Sequence, residues 1–489
     1  MTPVLGAAIA ALVLASGLAR AAPLGEDGAR HLLVRTGFGA TAGEIARLAP
    51  VERVAAVDAI LEAAGTRASI APPAWVDDPY VPFYKVAALP AEARMAEQRR
   101  NTERAFELRE WWLREMLATA SPLTERMTLF WHNHFATGQQ KVRSGQLLYR
   151  QNVLLRREAL GNFGALLREV SRDPAMLIYL DNAGSRRQAP NENFAREVME
   201  LFTLGEGRYT ERDIQEAARA FTGWSIDRDT GEYRYRPFIH DGGVKTVLGR
   251  TGRLGGEEVL EILLARPETA AFVTRKLWRE FVSPSPDERE VDRLAGIFRD
   301  ARYAVKPLLR AMFLSEAFWS GENRGALIKS PVDLVVGTLH TFGIRPLDLR
   351  PAVTASALLG QNLFAPPNVK GWPGGEAWIN SATLLGRKQL IDRVFRGSDA
   401  MAEAPPNGAA AGAREATPQA RLRRMMDRGL ATYALDWDRF TREMGDGPGR
   451  AEGLVRLVLA VPPVEPPAKG LPGPELVRQL VADPAFQLR

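Results

Sequence analysis

The sequence contains no cysteine. A chain without cysteine forms no disulfide and offers no thiolate to a metal ion. The same absence excludes a lipid-modified cysteine behind an export signal. An oxidising compartment still permits such a chain, because it allows disulfides without requiring them.

A strong excess of one charge is also missing. The 64 Lys and Arg residues against 58 Asp and Glu residues leave a formal charge of +6 over 489 residues. Only nine of the basic residues are lysines, and the arginines are interleaved with acidic residues as on ordinary helix surfaces. Because no basic cluster stands out, the composition does not favour a nucleic-acid partner.

Long apolar runs are confined to the N-terminus. Residues 4–18 are apolar, and Ala19-Arg20-Ala21 supplies the small residues of a signal-peptidase site. We interpret residues 1–21 as a cleaved signal peptide, which predicts an exported protein, periplasmic or secreted. An uncleaved anchor is the alternative, because no Lys or Arg precedes the apolar run. No later run reaches the roughly 20 apolar residues that span a bilayer, so we expect no stable membrane span in the mature form.

The rest of the chain is patterned as a mainly α protein. Apolar residues at helical spacing predict a multi-helix globular core over residues 22–396, with two packed subdomains as an option. Alternating tyrosines and arginines before a Gly-rich turn predict one small β-hairpin near 232–248. Residues 397–420 have almost no large apolar side chains and are predicted as a flexible linker, followed by a short helical C-terminal tail over 421–489.

Residues 190–224 predict a helical hairpin. The first helix carries an apolar stripe and ends at Gly205. Thr210 and Asp213 have the spacing of a capping box at the start of the second helix.

Two carboxylates of the first helix, Glu197 and Glu200, border its apolar stripe instead of opposing it. One interpretation is structural: Arg196 pairs with Glu200 at i,i+4, and Glu197 meets an arginine elsewhere. The other is a functional carboxylate pair. Periodicity establishes the helix and leaves both interpretations open.

Five further candidates carry imidazole, carboxylate or amine groups. His132 and His134 lie in an aromatic segment, where a spacing of two residues separates their rings by about 160° on a regular helix. His240 and Asp241 lie at the tip of the predicted hairpin, with Lys245 just beyond. The structural alternatives are buried, hydrogen-bonded imidazoles and a turn-forming aspartate. The functional alternatives are metal ligands or acid–base groups, with the His-Asp-Lys group exposed on the hairpin.

A segment rich in proline and glycine covers residues 359–380 and carries Trp372 and Trp378. We expect a structured loop with aromatic anchors. Anchors that plug the core are one outcome. An exposed aromatic surface that binds polysaccharide is the other.

Several long motifs, in a fixed order, carry a family resemblance. They are RTGFG, FWHNHF, NENFAREVMELFTLGEGRYT followed by AFTGW, FIHDGGVKTVLG, KSPVDLVVGTLHTFG and GQNLFAPPNVKGWP. With them the chain resembles the domain-of-unknown-function 1800 family of bacterial exported proteins over about residues 29–395. The resemblance implies export and a sulfatase-like exported partner encoded nearby, and it implies no established reaction.

The resemblance also marks individual positions. The matching polar residues are His132, His134, Asn191, Glu192, Asn193, Arg196, Glu197, Glu200, His240, Asp241 and Lys245. Many relatives carry His where this chain has Phe202. That difference weakens any metal site here that would depend on the missing imidazole.

Two hypotheses follow for an exported protein of unknown biochemical function. In the first, a polar His/Glu pocket in the helical core binds a divalent metal such as Zn, Mn or Fe. The metal-ligand candidates are His132, His134, Glu197 and Glu200; the catalytic candidates are His132, His134, Glu197, His240, Asp241 and Lys245. In the second, a non-catalytic cell-envelope binding or assembly protein uses the same motifs as structural networks. The chain has no G-x-S-x-G, H-E-x-x-H, P-loop or Rossmann fingerprint, so enzymatic activity stays open.

Overall fold

The structure, a computed structural model, describes residues 22–403, 429, 433, 435–444 and 449–489. Within these residues the protein is mainly α, as predicted, with 23 α-helices and two small antiparallel sheets. The predicted signal peptide and most of the predicted linker lie outside the described residues. No helix in the described part of the chain combines the length and apolar composition needed to cross a membrane.

The helices and strands follow one another along the chain, with longer connections between α3 and α4 and between α19 and α20. The α-helices are α1 Gly25–Thr36, α2 Ala42–Leu48, α3 Arg53–Glu62, α4 Phe83–Ala87, α5 Ala91–Ala118, α6 Pro122–His134, α7 Gln139–Val142, α8 Gly145–Arg157, α9 Phe163–Arg172, α10 Pro174–Tyr179, α11 Glu192–Met199, α12 Glu211–Ala220, α13 Gly256–Ala265, α14 Pro267–Phe281, α15 Glu288–Asp300, α16 Val305–Phe313, α17 Glu316–Trp319, α18 Pro331–Thr341, α19 Arg350–Leu358, α20 Ser381–Glu403, α21 Trp437–Met444, α22 Arg450–Val458 and α23 Gly473–Ala482. The strands are β1 Trp224–Ile226, β2 Tyr233–Tyr235, β3 Lys245–Val247 and β4 Arg250–Gly252. A π-helical turn covers Glu200–Leu204.

The predicted helical hairpin is present as α11 and α12. The Thr210 side chain accepts a hydrogen bond from the backbone of Asp213, whose carboxylate accepts one from the backbone of Thr210, so the capping box is confirmed. Phe194 and Val198 of α11 are fully buried. Side chains of this size each contribute about 1.5–3 kcal/mol when removed from water, which explains why the hairpin packs tightly into the core.

The region near 232–248 forms β structure, as predicted, and contributes one strand to each of two hairpins instead of forming a single one. Strand β1 pairs with β2, with Trp224 opposite Tyr235, and β3 pairs separately with β4. Two local turns explain the difference. Gly231, in the left-handed region at φ 69°, lies in the turn between β1 and β2, and Leu248 and Gly249, with φ of 48° and 82°, join β3 to β4.

The buried apolar residues form two clusters. The first core is built mainly from α6, α9 and the segment from α11 to α16. The second core is built mainly from α5, α18, α19, α20 and the C-terminal tail. Helix α6 contributes to both, since Met127 belongs to the first core and Leu129 to the second. The aromatic segment of α6 therefore lies on the boundary between the two.

The C-terminal residues extend the second core. Helix α20 continues to Glu403, past residue 397 where the linker was predicted to begin. The described part of the tail contains short helices, and its residues Leu454 and Leu480 are buried in the second core. The tail is thus an integral part of the helical core.

Candidate functional site

The two histidines of helix α6 point into different cores. Two steps along an α-helix rotate a side chain by about 200°, so residues at i and i+2 face nearly opposite directions. The ring of His132 lies 5.3 Å from that of Trp112 and 5.2 Å from that of Phe364, in the second core. The ring of His134 lies 4.5 Å from that of Phe135, in the first core. The two imidazoles do not face a common point.

His132 is a neutral, hydrogen-bonded core residue. Its exposed fraction is 1 %. The backbone N–H of Phe364 donates to its Nε2 atom over 3.2 Å. Burial lowers the pKa of His132 to about 3. The contact holds the loop over 359–380 against α6, which matches the structural alternative for this residue.

His134 uses both of its ring nitrogens inside the protein. Its Nδ1 atom lies 2.9 Å from the Nζ atom of Lys276, and its Nε2 atom lies 3.2 Å from the carbonyl oxygen of Phe202. Burial and the charge of Lys276 hold the pKa of His134 well below its usual value, so the neutral imidazole accepts from the lysine at Nδ1 and donates at Nε2. Burial also lowers the pKa of Lys276 to about 8. Neither nitrogen of His134 is left for a metal ion.

The carbonyl of Phe202, which accepts the hydrogen bond from His134, belongs to the π-helical turn. Helix α11 continues into Glu200–Leu204 with one residue more per turn than an α-helix, and the Thr203 hydroxyl donates to the carbonyl of Val198 over 2.7 Å. Gly205, at φ 82°, ends the segment as predicted. π-Helical turns are rare and occur frequently at functional sites. This one presents Glu197 and Glu200 at the junction between α11 and the turn.

Glu200 is held by neighbours on two sides. The Tyr209 hydroxyl donates to its carboxylate, and the Nζ atom of Lys370 lies 3.8 Å from its Oε1 atom. Lys370 also donates to Glu206 over 3.0 Å. The expected pairing of Arg196 with Glu200 is wrong, because Arg196 forms a two-point ion pair with Glu211 on α12, at 2.8 and 2.7 Å. We refer to Glu197, Glu200, Glu206, Tyr209 and Lys370 as the glutamate cluster.

Glu197 differs from every other member of the glutamate cluster. The residue is 9 % exposed, and among the described residues no side chain or backbone group forms a hydrogen bond or a direct ion pair with it. Burial, and then the nearby charge of Glu200, raise the pKa of Glu197 above its usual value. A carboxyl group that is largely withdrawn from water and has a raised pKa is suited to exchange a proton with a ligand.

The segment after β2 uses its charged residues to hold its own turn. Asp241 accepts two hydrogen bonds from Arg219 of α12, at 2.7 and 3.2 Å, and one from the backbone of Gly243. The Nζ atom of Lys245 donates to the carbonyl of Gly243 over 3.0 Å. Lys245 is 1 % exposed, so the expectation of an exposed His-Asp-Lys group is wrong. These contacts match the structural alternative of a turn-forming aspartate.

His240 is partly exposed, like Asp241 and unlike Lys245. Its Nδ1 atom lies 2.8 Å from the carbonyl oxygen of Thr222, at the end of the helical hairpin. Its ring lies 5.8 Å from that of Tyr235. His240 therefore has different neighbours from His132, His134 and the glutamate cluster.

The loop over 359–380 is anchored in the core. Trp372 and Trp378 are 4 % and 7 % exposed. The Asn133 side chain accepts from the backbone N–H of Trp372 over 2.7 Å and donates to its carbonyl over 3.3 Å. The tryptophans thus plug the core, and the loop offers no aromatic surface for a polysaccharide.

No group of three or more His, Asp or Glu side chains in the described part of the chain is arranged to hold a metal ion. The four predicted ligands separate into His132 in the second core, His134 in the first core, and the glutamate pair Glu197 and Glu200. Metal binding by these four residues stays a prediction, and their contacts give it no support.

A family model described as protein of unknown function (DUF1800) matches residues 31–488. The chain belongs to the DUF1800 family. The DUF1800 match extends beyond residue 395 into the C-terminal tail, in agreement with the packing of that tail into the second core. No curated protein and no solved structure matches the chain.

Two residues that contact the candidate site residues were not predicted from the sequence. Lys276 stands in the apolar stretch FVTRKLW, and a lysine in such a stretch signals a buried amine that needs an acceptor. Lys370 stands in the NVKGW part of the loop. Its partner Glu206 is 164 residues away along the chain, so no local pattern links them.

Proposed function

We propose that this protein is an exported protein, periplasmic or secreted, that acts through the glutamate cluster with Glu197 as its acid–base group. The observation that carries the proposal is the Glu197 carboxyl itself: 9 % exposed, without a hydrogen-bond donor among the described residues, and raised in pKa. Because no described group donates to this carboxyl group, it is available to a ligand.

The neighbours of Glu197 support a division of roles. Glu200 is fixed by Tyr209 and by the charge of Lys370. Burial raises the pKa of Glu197, and the carboxylate of Glu200 beside it adds to the effect, so Glu197 takes up a proton more readily than an exposed glutamate. In this proposal Glu197 exchanges a proton with the ligand, while Glu200 acts as a positioning residue that sets the pKa of Glu197.

A complementation experiment tests the proposal. In a host strain that lacks this protein and shows a phenotype, Glu197→Gln is expected to fail to restore the wild-type phenotype while remaining folded and abundant. Glu211→Gln, on the adjacent helix and in an exposed ion pair with Arg196, is the matched control and is expected to restore it. Full restoration by Glu197→Gln would overturn the proposed role.

Export has a separate test, since residues 1–21 lie outside the described residues. N-terminal sequencing of the protein recovered from the periplasm or medium is expected to begin at Ala22. Recovery only from the cell membrane, with Met1 intact or only its methionine removed, would favour the uncleaved anchor. The family resemblance alone supports a sulfatase-like exported partner, which we propose on that basis and which co-purification of tagged protein from its native host would detect.

The second candidate function is a non-catalytic cell-envelope binding or assembly protein. The observation that favours it is that His132, His134, Asp241 and Lys245 all contact groups inside the fold. Under this function Glu197→Gln restores the phenotype, while His132→Ala lowers both stability and abundance. Elemental analysis of the purified mature protein tests the metal hypothesis. A stoichiometric metal in the wild type that is absent from Glu197→Gln would support it.

A further inference from the structure

A second polar region lies away from the glutamate cluster, in a cleft between α1, α6, α18 and the C-terminal segment. The space inside the cleft is about 20 Å³, and the cleft opens to solvent. Its charged lining residues are Arg30, Arg126, Lys329, Arg489 and Asp333. Four basic side chains and one carboxylate side chain line the cleft, so basic side chains outnumber acidic ones.

The neighbouring carboxylate side chains pair with only two of these basic side chains. Asp333 lies 2.6 Å from Arg126 and 3.4 Å from Arg489. Glu280, just outside the lining, is shared by the same two arginines at 3.2 and 2.9 Å. Asp333 and Glu280 thus both pair with Arg126 and Arg489. Arg30 and Lys329 lie in the same cleft and form no ion pair with a described carboxylate.

Individual atoms also lack partners. The Nη1 atom of Arg489 is buried and has no hydrogen-bond acceptor in the described part of the chain, and the residue as a whole is only 6 % exposed. The Nζ atom of Lys329 lies 3.8 Å above the ring of Phe486. Burial, and then the charge of Arg30, lower the pKa of Lys329 to about 7. A guanidinium N–H left without an acceptor in a cleft rich in basic side chains is a donor that an anion would satisfy.

The backbone brings these donors together. The N–H of Lys329 donates to the carbonyl of Gln487 over 2.8 Å, and the N–H of Arg489 donates to the carbonyl of Leu327 over 2.8 Å. This short antiparallel bridge places the two cationic residues on neighbouring strands of backbone. The pairing of the two backbone segments therefore fixes the positions from which the two side chains extend.

We propose that this cleft binds a tetrahedral oxyanion, a phosphate or sulfate group, through Arg489 and Lys329. The planar guanidinium of Arg489 presents paired N–H donors, which suit such oxygens, and Lys329 adds a compact positive charge. The bound group would link the C-terminal segment to α18 and so join the tail to the helical core. The oxyanion is either free in solution or part of a larger phosphorylated or sulfated molecule.

Isothermal titration calorimetry of the whole mature protein with inorganic phosphate, and separately with sulfate, tests the proposal at constant ionic strength with chloride as the balancing anion. We expect binding of one anion per chain. Lys329→Met retains the aliphatic stem over Phe486 and is expected to weaken binding at least tenfold. Lys306→Met, at an exposed lysine of α16, is the matched control and is expected to bind like the wild type.

The outcomes separate clearly. Absence of phosphate and sulfate binding by the folded wild type would overturn the proposal, and would mean that the protein's own carboxylates balance the cleft. Equal binding by Lys329→Met and Lys306→Met would also overturn it, because the anions would then act through their general effect on the protein surface. Binding of inorganic anions that a phosphorylated or sulfated sugar outcompetes would identify the group as part of a larger ligand.

Discussion

Replacing Glu197 by glutamine removes the charge of a carboxyl group without changing its shape. The folded protein holds this group with a raised pKa, so the charged form is less favourable in the folded state than in the unfolded chain. Glutamine cannot ionise and avoids that cost. We therefore expect Glu197→Gln to be more stable than the wild type at pH 7.

The size of the effect follows from linkage. Each pKa unit between folded and unfolded states corresponds to about 1.4 kcal/mol. For a mostly buried carboxyl group with no direct partner, we expect a gain on the order of 1 kcal/mol at pH 7. In a chain of this length such a gain moves the melting temperature by only about 1 °C, so denaturant unfolding is the better measurement.

The pH dependence gives the sharper test. Below the unfolded pKa of about 4.5 the carboxyl is protonated in both states, and the advantage of Glu197→Gln vanishes. The advantage grows as the pH rises above that value and is complete once the pH exceeds the folded pKa. Urea unfolding followed by tryptophan fluorescence from pH 4 to 8 measures it.

Glu211→Gln is the control of opposite sign. Its pairing with Arg196 lowers the pKa of Glu211, so the wild-type carboxylate stabilises the protein above the unfolded pKa and loses that effect as the pH falls through the folded one. Glu211→Gln is therefore expected to be less stable than the wild type at pH 7. A Glu197→Gln protein that is less stable than the wild type at pH 7, or whose difference from it does not change with pH, would refute the reasoning.

Two further predictions concern the contacts around the two histidines. Gly371 and Gly374 both have left-handed φ, at 78° and 72°, but a Cβ at Gly371 would lie 2.5 Å from the carbonyl oxygen of Asn133, whereas Gly374 has open space. In urea unfolding, we expect Gly374→Ala to lower the free energy of unfolding by about 1 kcal/mol and Gly371→Ala to lower it by at least about 2 kcal/mol. Equal losses in the two variants would contradict the role of Asn133. The second prediction concerns Lys276, whose folded pKa is lowered to about 8. The wild type is therefore expected to gain stability relative to Lys276→Met as the pH rises from about 8 to 10.5. Parallel urea unfolding profiles over that range would exclude a charged buried amine beside His134.

The sequence predicted those features that depend on residues close together in the chain. The capping box of Thr210 and Asp213 and the end of the helix at Gly205 are both local, and both are confirmed. The opposite directions of His132 and His134 also follow from helix geometry alone. The two strands near 232–248 pair with β1 and β4 because two further turn-forming segments lie on either side of the predicted Gly-rich turn.

The candidate site depended on contacts between distant residues, and these the sequence could not supply. Arg196 had two acidic partners within reach, and only the packing of α12 against α11 favours Glu211 over Glu200. Lys276 is 142 residues from His134. The π-helical turn has no simple sequence signal, since its residues also suit an α-helix.

The loop over 359–380 has a consequence for when the protein can fold. Three polar residues of the N-terminal half form hydrogen bonds with this loop: Arg109 donates to Leu363, His132 accepts from Phe364, and Asn133 binds Trp372. The separations along the chain are 254, 232 and 239 residues. These three contacts can therefore form only after residue 372 has been synthesised, long after the helices that they join to the loop.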